Sequence, residues 1–220
     1  MTKVWKQTGL KVGVFGACLS PLVVLAWQAL TGDLGANPID EITDQTGIWT
    51  LRLLLITLAV TPARRLTGWN RLIQFRRMLG LFAFFYGSLH FVTYIWLDQF
   101  FAIADIIADV MERPFITVGL ASFMLLIPLA VTSTTAMIKR LGGKWWQRLH
   151  RLVYVIAIGG IVHYLWLVKA DSRQPLIYGS ILGVLLTYRL WDTYGRRLLA
   201  SITLVSKSVV RRGDALRERW

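Results

Sequence analysis

The sequence predicts an all-α membrane protein: a polytopic helical bundle with six transmembrane helices and both termini in the cytoplasm. Hydrophobic residues make up 55% of the 220-residue chain and charged residues 17%, and the apolar residues fall in long blocks, as in membrane proteins. Basic and acidic residues alternate between the segments that join these blocks, which is typical of an oriented bundle. We therefore interpret residues 1–220 as one transmembrane domain, with no room for a soluble catalytic domain.

The apolar blocks define the predicted spans. They cover roughly residues 12–30, 48–63, 78–97, 114–134, 150–168 and 174–191, and about 20 apolar residues cross a bilayer as a helix. The second block is short and the sixth closely follows a polar turn, so a bundle of five spans is the alternative. The first block follows three lysines, as in a signal peptide, but its length favours an uncleaved first helix.

The distribution of charge predicts the orientation of the bundle. With a cytoplasmic N-terminus, 21 of the 25 basic residues lie on the cytoplasmic side and nine of the 12 acidic residues lie on the other, as the positive-inside rule requires. The net charge of +13 therefore reflects orientation in a membrane, and we expect no binding to nucleic acid. The basic segment 196–220 is predicted to be a cytoplasmic tail held by anionic lipid of the bilayer.

The outer segment 98–113 is the one connection with an amphipathic pattern. Asp98, Asp105, Asp109 and Glu112 recur at helical spacing between apolar residues, so we expect a helix that lies flat on the outer interface. It either joins two spans or forms a docking surface for an external partner. Trp145 and Trp146 are expected to be interface anchors on the opposite side.

Two of the three histidines lie deep inside apolar blocks. An ionisable residue within a span suggests a functional site, and neutral imidazole is a common ligand of haem iron. His90 is twelve residues from the inner end of its block and His163 is thirteen, so both lie ~18–20 Å from the inner surface. Two helices that present histidines at one depth favour a bis-histidine haem b. The alternative is two buried histidines, each hydrogen-bonded to a neighbour.

The third histidine, His150, lies at the inner edge of the fifth block, about 20 Å below His163 on a continuous helix. Arg76 and Arg77 lie at the same inner level, fourteen and thirteen residues before His90. One interpretation makes His150 the ligand of a second haem, with Arg76 or Arg77 contacting a propionate or filling the missing position. The other makes His150 a solvated interface histidine, and the sequence leaves both open.

Other polar residues in the blocks give weaker signals. Arg52 is expected to snorkel to the outer interface or to pair with Asp44. Tyrosines flank the histidines and would suit hydrogen bonds to haem propionates, although packing is their default role: Tyr86, Tyr94, Tyr154 and Tyr164. A single cysteine, Cys18, excludes a cysteine-ligated iron–sulfur cluster. No glycine-rich phosphate-binding loop is present, so another component must deliver electrons.

Three stretches carry a resemblance to a known family. They are TPARR at 61–65, RRMLGLFAFFYGSLHFVTY at 76–94, and WWQRLHRLVYV at 145–155 with VHYLW at 162–166. Together they resemble the haem-binding membrane subunits, called MsrQ, of bacterial periplasmic methionine sulfoxide reductase systems. That family belongs to the wider ferric reductase and NADPH oxidase transmembrane group. The wider group has a second, inner histidine on its third helix, where this chain has Arg76. The departure weakens the case for a second haem and leaves a His90–His163 haem intact.

The resemblance implies a function. The chain would take electrons from membrane quinol or from a cytoplasmic flavin reductase and pass them outward through haem b. The acceptor would be a periplasmic molybdopterin-containing reductase that repairs oxidised methionine, so sulfoxide reduction itself would belong to the partner. The resemblance also implies FMN, for which no residue of this sequence identifies a site. The hypothesis from a different class is a small proton-coupled transporter with a histidine relay, although no internal repeat supports it.

Overall fold

The chain forms helices throughout the residues that a computed structural model describes, which are 2–168 and 171–195. In order, the α-helices are α1 (Thr2–Thr31), α2 (Pro38–Thr67), α3 (Arg76–Thr93), α4 (Ile103–Glu112), α5 (Pro114–Val131), α6 (Thr135–Leu141), α7 (Gly143–Leu149), α8 (Leu152–Leu167) and α9 (Arg173–Leu190). A 3-10 segment, Asn70–Phe75, precedes α3, and π-helical turns cover Tyr94–Asp98 and Trp191–Gly195. The predicted tail 196–220 lies outside the described residues.

Five helical segments of the described chain are long and apolar enough to cross a membrane: Thr8–Thr31, Pro38–Thr67, Asn70–Asp98, Pro114–Val131 and Gly143–Leu167. They correspond to the first five predicted blocks, so the all-α, multi-pass architecture is confirmed. The second block, which is short in the sequence, is part of a 30-residue helix. This helix begins with Pro38, whose fixed φ suits a first helical position, and it continues through Pro62.

The sixth predicted block forms α9, but α9 is not among the segments apolar enough to cross a membrane. The reason is composition, because Arg173, Gln174, Tyr188 and Arg189 bring polar groups to both ends of an 18-residue helix. Six spans and cytoplasmic termini therefore stay predictions. The chain divides into two structural units, residues 1–182 and 183–220, and the expected single domain over 1–220 also stays a prediction.

Four helices of the first unit form a closed ring. Helix α2 packs on α3, α3 on α5, α5 on α8, and α8 on α2. Small and apolar side chains of these helices are buried, among them Ala83, Ala157 and Ile156. This arrangement surrounds a space that all four helices can reach with side chains, which is how bundles hold a cofactor.

Helix α1 packs outside this ring, against α2 and α3, and it is anchored by one buried tyrosine. Pro21 lies inside α1 and has no backbone N–H. One residue further on, the Tyr86 hydroxyl accepts a hydrogen bond from the Leu22 backbone N–H at 3.1 Å and donates to the Cys18 carbonyl at 2.9 Å. The hydroxyl thus bonds to both the N–H and the carbonyl of one i to i+4 backbone pair in α1. Tyr86 is only 1% exposed.

The prediction of an amphipathic helix between the third and fourth spans is confirmed by α4. It packs against α5, and its Ile106 and Val110 line the interior cavity of the ring. Its other apolar side chains, Ile103, Ile107 and Met111, are exposed. Helix α4 thus covers the end of the ring at which α3 and α8 end, which we call the α4 end.

Candidate functional site

The two histidines from the apolar blocks meet inside the ring. His90 on α3 and His163 on α8 have ring centroids 6.1 Å apart, and their planes are inclined at 81°. Both lie near the α4 end, because α3 ends at Thr93 and α8 ends at Leu167. The depth argument from the sequence thus agrees with the structure, which brings together side chains 73 positions apart in the sequence.

Each imidazole is held by a backbone carbonyl of a neighbouring helix. His90 Nδ1 lies 2.9 Å from the Thr43 carbonyl oxygen, and His163 Nδ1 lies 2.7 Å from that of Phe115. Because a carbonyl oxygen only accepts, each Nδ1 carries the proton and donates it. The Nε2 of each neutral ring therefore carries the lone pair that can bind a metal, and the carbonyl fixes both tautomer and orientation.

A glycine one helical turn beyond each carbonyl makes room for each ring. A Cβ at Gly47 would lie 3.1 Å from His90 Nδ1, and a Cβ at Gly119 would lie 2.7 Å from His163 Nδ1. Residues four apart lie on the same face of a helix, so a side chain at either glycine would occupy the space of the imidazole. The two rings are thus seated alike: His90 on the Thr43–Gly47 turn of α2, and His163 on the Phe115–Gly119 turn of α5.

A cavity of about 470 Å³ lies beside the two histidines. It is lined mainly by apolar side chains of α2, α3, α5 and α8, and α4 contributes Ile106 and Val110. This volume is within the range of sites that hold cofactors and other small molecules, about 300–1,000 Å³.

Polar groups gather where the cavity meets the α4 end. Asp109 accepts hydrogen bonds from the Tyr94 hydroxyl and the Gln99 amide, each at 3.2 Å, and forms an ion pair with Arg113 at 3.2 Å. Tyr94 and Arg113 line the cavity. The network links the residues that follow α3 to α4 and to Arg113, which directly precedes α5.

The donor set fits a haem. In the described residues no group of three or more His, Cys, Asp or Glu could hold a bare metal ion, so a metal bound by the two histidines needs its other ligands from a macrocycle. An imidazole nitrogen lies about 2 Å from the metal it binds, so two axial ligands of one iron place their ring centres roughly 6 Å apart. The observed separation is 6.1 Å. The two histidines, the glycine spaces and the apolar walls are together suited to a bis-histidine haem.

His150 lies at the opposite end of the ring and does not join this pair. Helix α7 ends at Leu149 and α8 begins at Leu152, so His150 is in the turn between them. Its Nε2 lies 3.1 Å from the Thr132 hydroxyl, and its ring stacks on Trp146 at a centroid distance of 4.0 Å. Trp146, expected to be an interface anchor, packs on His150 and donates its indole N–H to the Thr132 carbonyl.

Two arginines begin α3 close to this turn. Arg76 is half-buried and within electrostatic range of His150, whereas Arg77 is exposed. The structure thus brings Arg76 close enough to His150 for the two to interact. A ligand at this end would have to compete with Thr132 for the Nε2 of His150.

The remaining candidates have partners of their own. Arg52 donates from Nε to the Tyr178 hydroxyl at 2.8 Å and lies 4.9 Å from the centroid of the Trp49 ring. Among the described residues it forms no ion pair with Asp44, so it uses the aromatic contacts instead. The Tyr164 hydroxyl donates to Gln174, and that of Tyr86 is bound to α1. Tyr94 and Tyr164 both line the cavity, and Tyr94 is hydrogen-bonded to Asp109 at the α4 end.

Comparison with known proteins identifies the group to which this fold and site belong. Residues 46–161 match the family described as "Ferric reductase like transmembrane component", which defines the class: a multi-pass membrane protein of the ferric reductase type. Three relatives are each named as the heme-binding subunit MsrQ of a protein-methionine-sulfoxide reductase. The relative from Herminiimonas arsenicoxydans is 57% identical over 192 residues, 86% of this chain and 88% of the relative.

The other two relatives are similarly close over most of their length. The one from Rhodospirillum rubrum is 54% identical over 187 residues, 85% of this chain and 90% of its own. The one from Caulobacter vibrioides is 52% identical over 184 residues, 84% of this chain and 87% of its own. The chain belongs to the MsrQ family.

Sequence reasoning missed several residues of the site. Thr43 and Phe115 act through backbone carbonyls, which leave no mark on residue type. Gly47 and Gly119 carried a usable signal, since an isolated glycine in a helical pattern often marks a close approach. Arg113 lay in the segment interpreted as a connection, and only the fold brings it to the cavity.

Proposed function

We propose that this chain is the haem-binding electron-transfer subunit of a membrane oxidoreductase, with His90 and His163 as the axial ligands of one haem b. The observation that carries the proposal is the pair of neighbouring imidazoles, each with Nδ1 hydrogen-bonded to a backbone carbonyl and with the lone pair on Nε2. When bound, haem supplies a carrier of single electrons.

The surrounding residues support this role. The carbonyls of Thr43 and Phe115 hold both rings in one tautomer, and such outer partners raise the basicity of a ligating imidazole. The apolar walls keep water from the ligands. A proton-coupled transporter would need imidazoles that exchange protons along a path, and both Nδ1 atoms here are committed to backbone carbonyls.

The direction of transfer follows from the proposed orientation. With both termini cytoplasmic, as the basic residues favour, the α4 end faces the periplasm and the histidine pair lies near it. We propose that electrons come from the quinol pool or a cytoplasmic flavin reductase. They pass to a periplasmic molybdopterin methionine sulfoxide reductase that repairs oxidised proteins outside the bacterial inner membrane. The names of the relatives support the sulfoxide reductase as the partner.

A second haem on His150 and a flavin cofactor stand as separate hypotheses. The proximity of Arg76 to His150 supports the former, while the hydrogen bond between the His150 Nε2 and the Thr132 hydroxyl weighs against it. FMN rests on the family resemblance alone.

Electron delivery can be tested with purified components. The protein is reduced with dithionite, freed of excess reductant, and mixed with the molybdopterin methionine sulfoxide reductase of the same bacterium. The account expects the reduced haem bands to be lost when a methionine sulfoxide substrate is added, and to persist when either the reductase or the sulfoxide is left out. Haem that stays reduced with all components present would overturn the proposed role.

A further inference from the structure

The cavity beside the histidine pair has an uneven distribution of charge. Among its described lining residues, Arg113 is the one arginine or lysine, whereas three carboxylates line it: Asp40 and Asp44 on α2 and Asp98 beyond α3. A haem would add two more carboxylates, its propionates. Arg113 is therefore the one lining side chain with a fixed positive charge to offer them.

Arg113 is already held in place by the network at the α4 end. Its Nε pairs with Asp109 Oδ1 at 3.2 Å, while Asp109 Oδ2 accepts from Tyr94 and Gln99. The Asp109 side chain is 15% exposed and that of Arg113 is 57% exposed. Asp98 is also occupied, since it accepts a hydrogen bond from Gln99 at 3.0 Å.

One edge of the Arg113 guanidinium stays open. A guanidinium has five N–H donors in a planar fork. Within the described residues, the guanidinium of Arg113 has a partner at its Nε only, which is Asp109. The two terminal amino groups are thus available at the rim of the cavity. Arginine binds carboxylates through such a fork more strongly than a neutral donor does.

We propose that Arg113 binds a haem propionate and that Asp109 is the positioning residue that aims it. The proposal rests on the proposed haem site. The carboxylates of α2 repel the propionates, and Arg113 attracts them toward α4. The propionate edge of the haem would then lie under α4, at the end of the bundle from which electrons leave.

The test is the midpoint potential of the haem in the purified full chain. Ferric haem carries one more positive charge than ferrous haem, so removing a nearby cation stabilises the ferric form and lowers the potential. We expect Arg113→Gln to keep a bis-histidine spectrum, because His90 and His163 are untouched. Its reduction equilibrium should shift by about tenfold, or about 59 mV, to lower potential. Arg113→Lys keeps the positive charge and loses the planar fork of donors. Its midpoint potential should therefore lie between those of the wild type and Arg113→Gln.

Arg173 is a matched control. It is an arginine of the same structural unit, paired at 3.9 Å with Asp171, and its side chain is 89% exposed. Arg173→Gln should leave the potential unchanged. A wild-type potential in Arg113→Gln, or an equal shift in Arg173→Gln, would overturn the proposal.

A second measurement keeps the proposal testable if Arg113→Gln folds poorly. The propionate-bending bands in the resonance Raman spectrum should differ between wild type and Arg113→Lys, and identical bands would also overturn the proposal. Wild-type protein without haem would instead refute the proposed function itself, so the two failures are distinguishable.

Discussion

Gly119 lies so close to His163 that a Cβ at this position would be 2.7 Å from the ring nitrogen Nδ1. The same relationship joins Gly47 to His90, at 3.1 Å. In both cases the glycine follows by four residues the carbonyl that accepts the Nδ1 proton. The absence of a side chain therefore lets each imidazole reach the carbonyl, and the position of each imidazole depends on a glycine of another helix.

Substitution of these glycines should impair haem binding without changing either histidine. Overpacking by one methyl group costs about 1–3 kcal/mol, and here the displaced atoms belong to the imidazoles. We expect Gly119→Ala to lose most of the haem and Gly47→Ala to lose less, in line with the shorter distance at Gly119. The measurement is haem per chain from the pyridine haemochrome assay of detergent-purified protein.

Gly13 provides the control for these variants. It is in α1, and a Cβ there would meet nothing within 4 Å. Gly13→Ala should keep full haem, since alanine is the better helix former. Full haem in Gly119→Ala would contradict the proposed seating of His163.

Removal of His150 should spare the haem between the other two histidines. Its Nε2 is hydrogen-bonded to the Thr132 hydroxyl and its imidazole is stacked on Trp146. Both contacts lie at the end of the helix ring that is away from His90 and His163. We predict that His150→Ala retains nearly all of the Soret absorbance per chain. Loss of about half of it would instead indicate a second haem bound through His150.

Tyr86 should contribute to stability and not to ligation. Its buried hydroxyl satisfies both the Leu22 N–H and the Cys18 carbonyl of α1, and a buried polar group left unpaired costs about 1–3 kcal/mol. Tyr86→Phe is expected to unfold at lower temperature in detergent while keeping the wild-type haem spectrum. The exposed Tyr194 is the control, because Tyr194→Phe should change neither. A large spectral change in Tyr86→Phe would mean that its hydroxyl acts on the haem.

The sequence was sufficient to predict the helical architecture and the pairing of His90 with His163. Long apolar blocks determine where the helices lie, and a constant rise per residue converts sequence position into depth. Two histidines at the same depth on different helices of a small bundle are therefore expected to lie close together. The resemblance to a known family, which the comparisons confirm, added the chemical role.

The sequence could not predict contacts that depend on how helices turn toward one another. The Thr43 and Phe115 carbonyls and the placement of Arg113 arise from packing between distant segments. The turn between α7 and α8 that holds His150 was also missed, since His150 was expected on one continuous helix with His163. The sixth block stays a predicted span, since polar residues at both of its ends keep α9 out of the set of segments apolar enough to cross a membrane.

The absorption spectrum of the purified protein, before and after dithionite, tests the central claim most directly. The account predicts a low-spin b-type spectrum at about one haem per chain, abolished in both His90→Ala and His163→Ala. Retention of the full Soret band in either variant, or wild-type protein without haem from cells supplied with haem precursor, would contradict it.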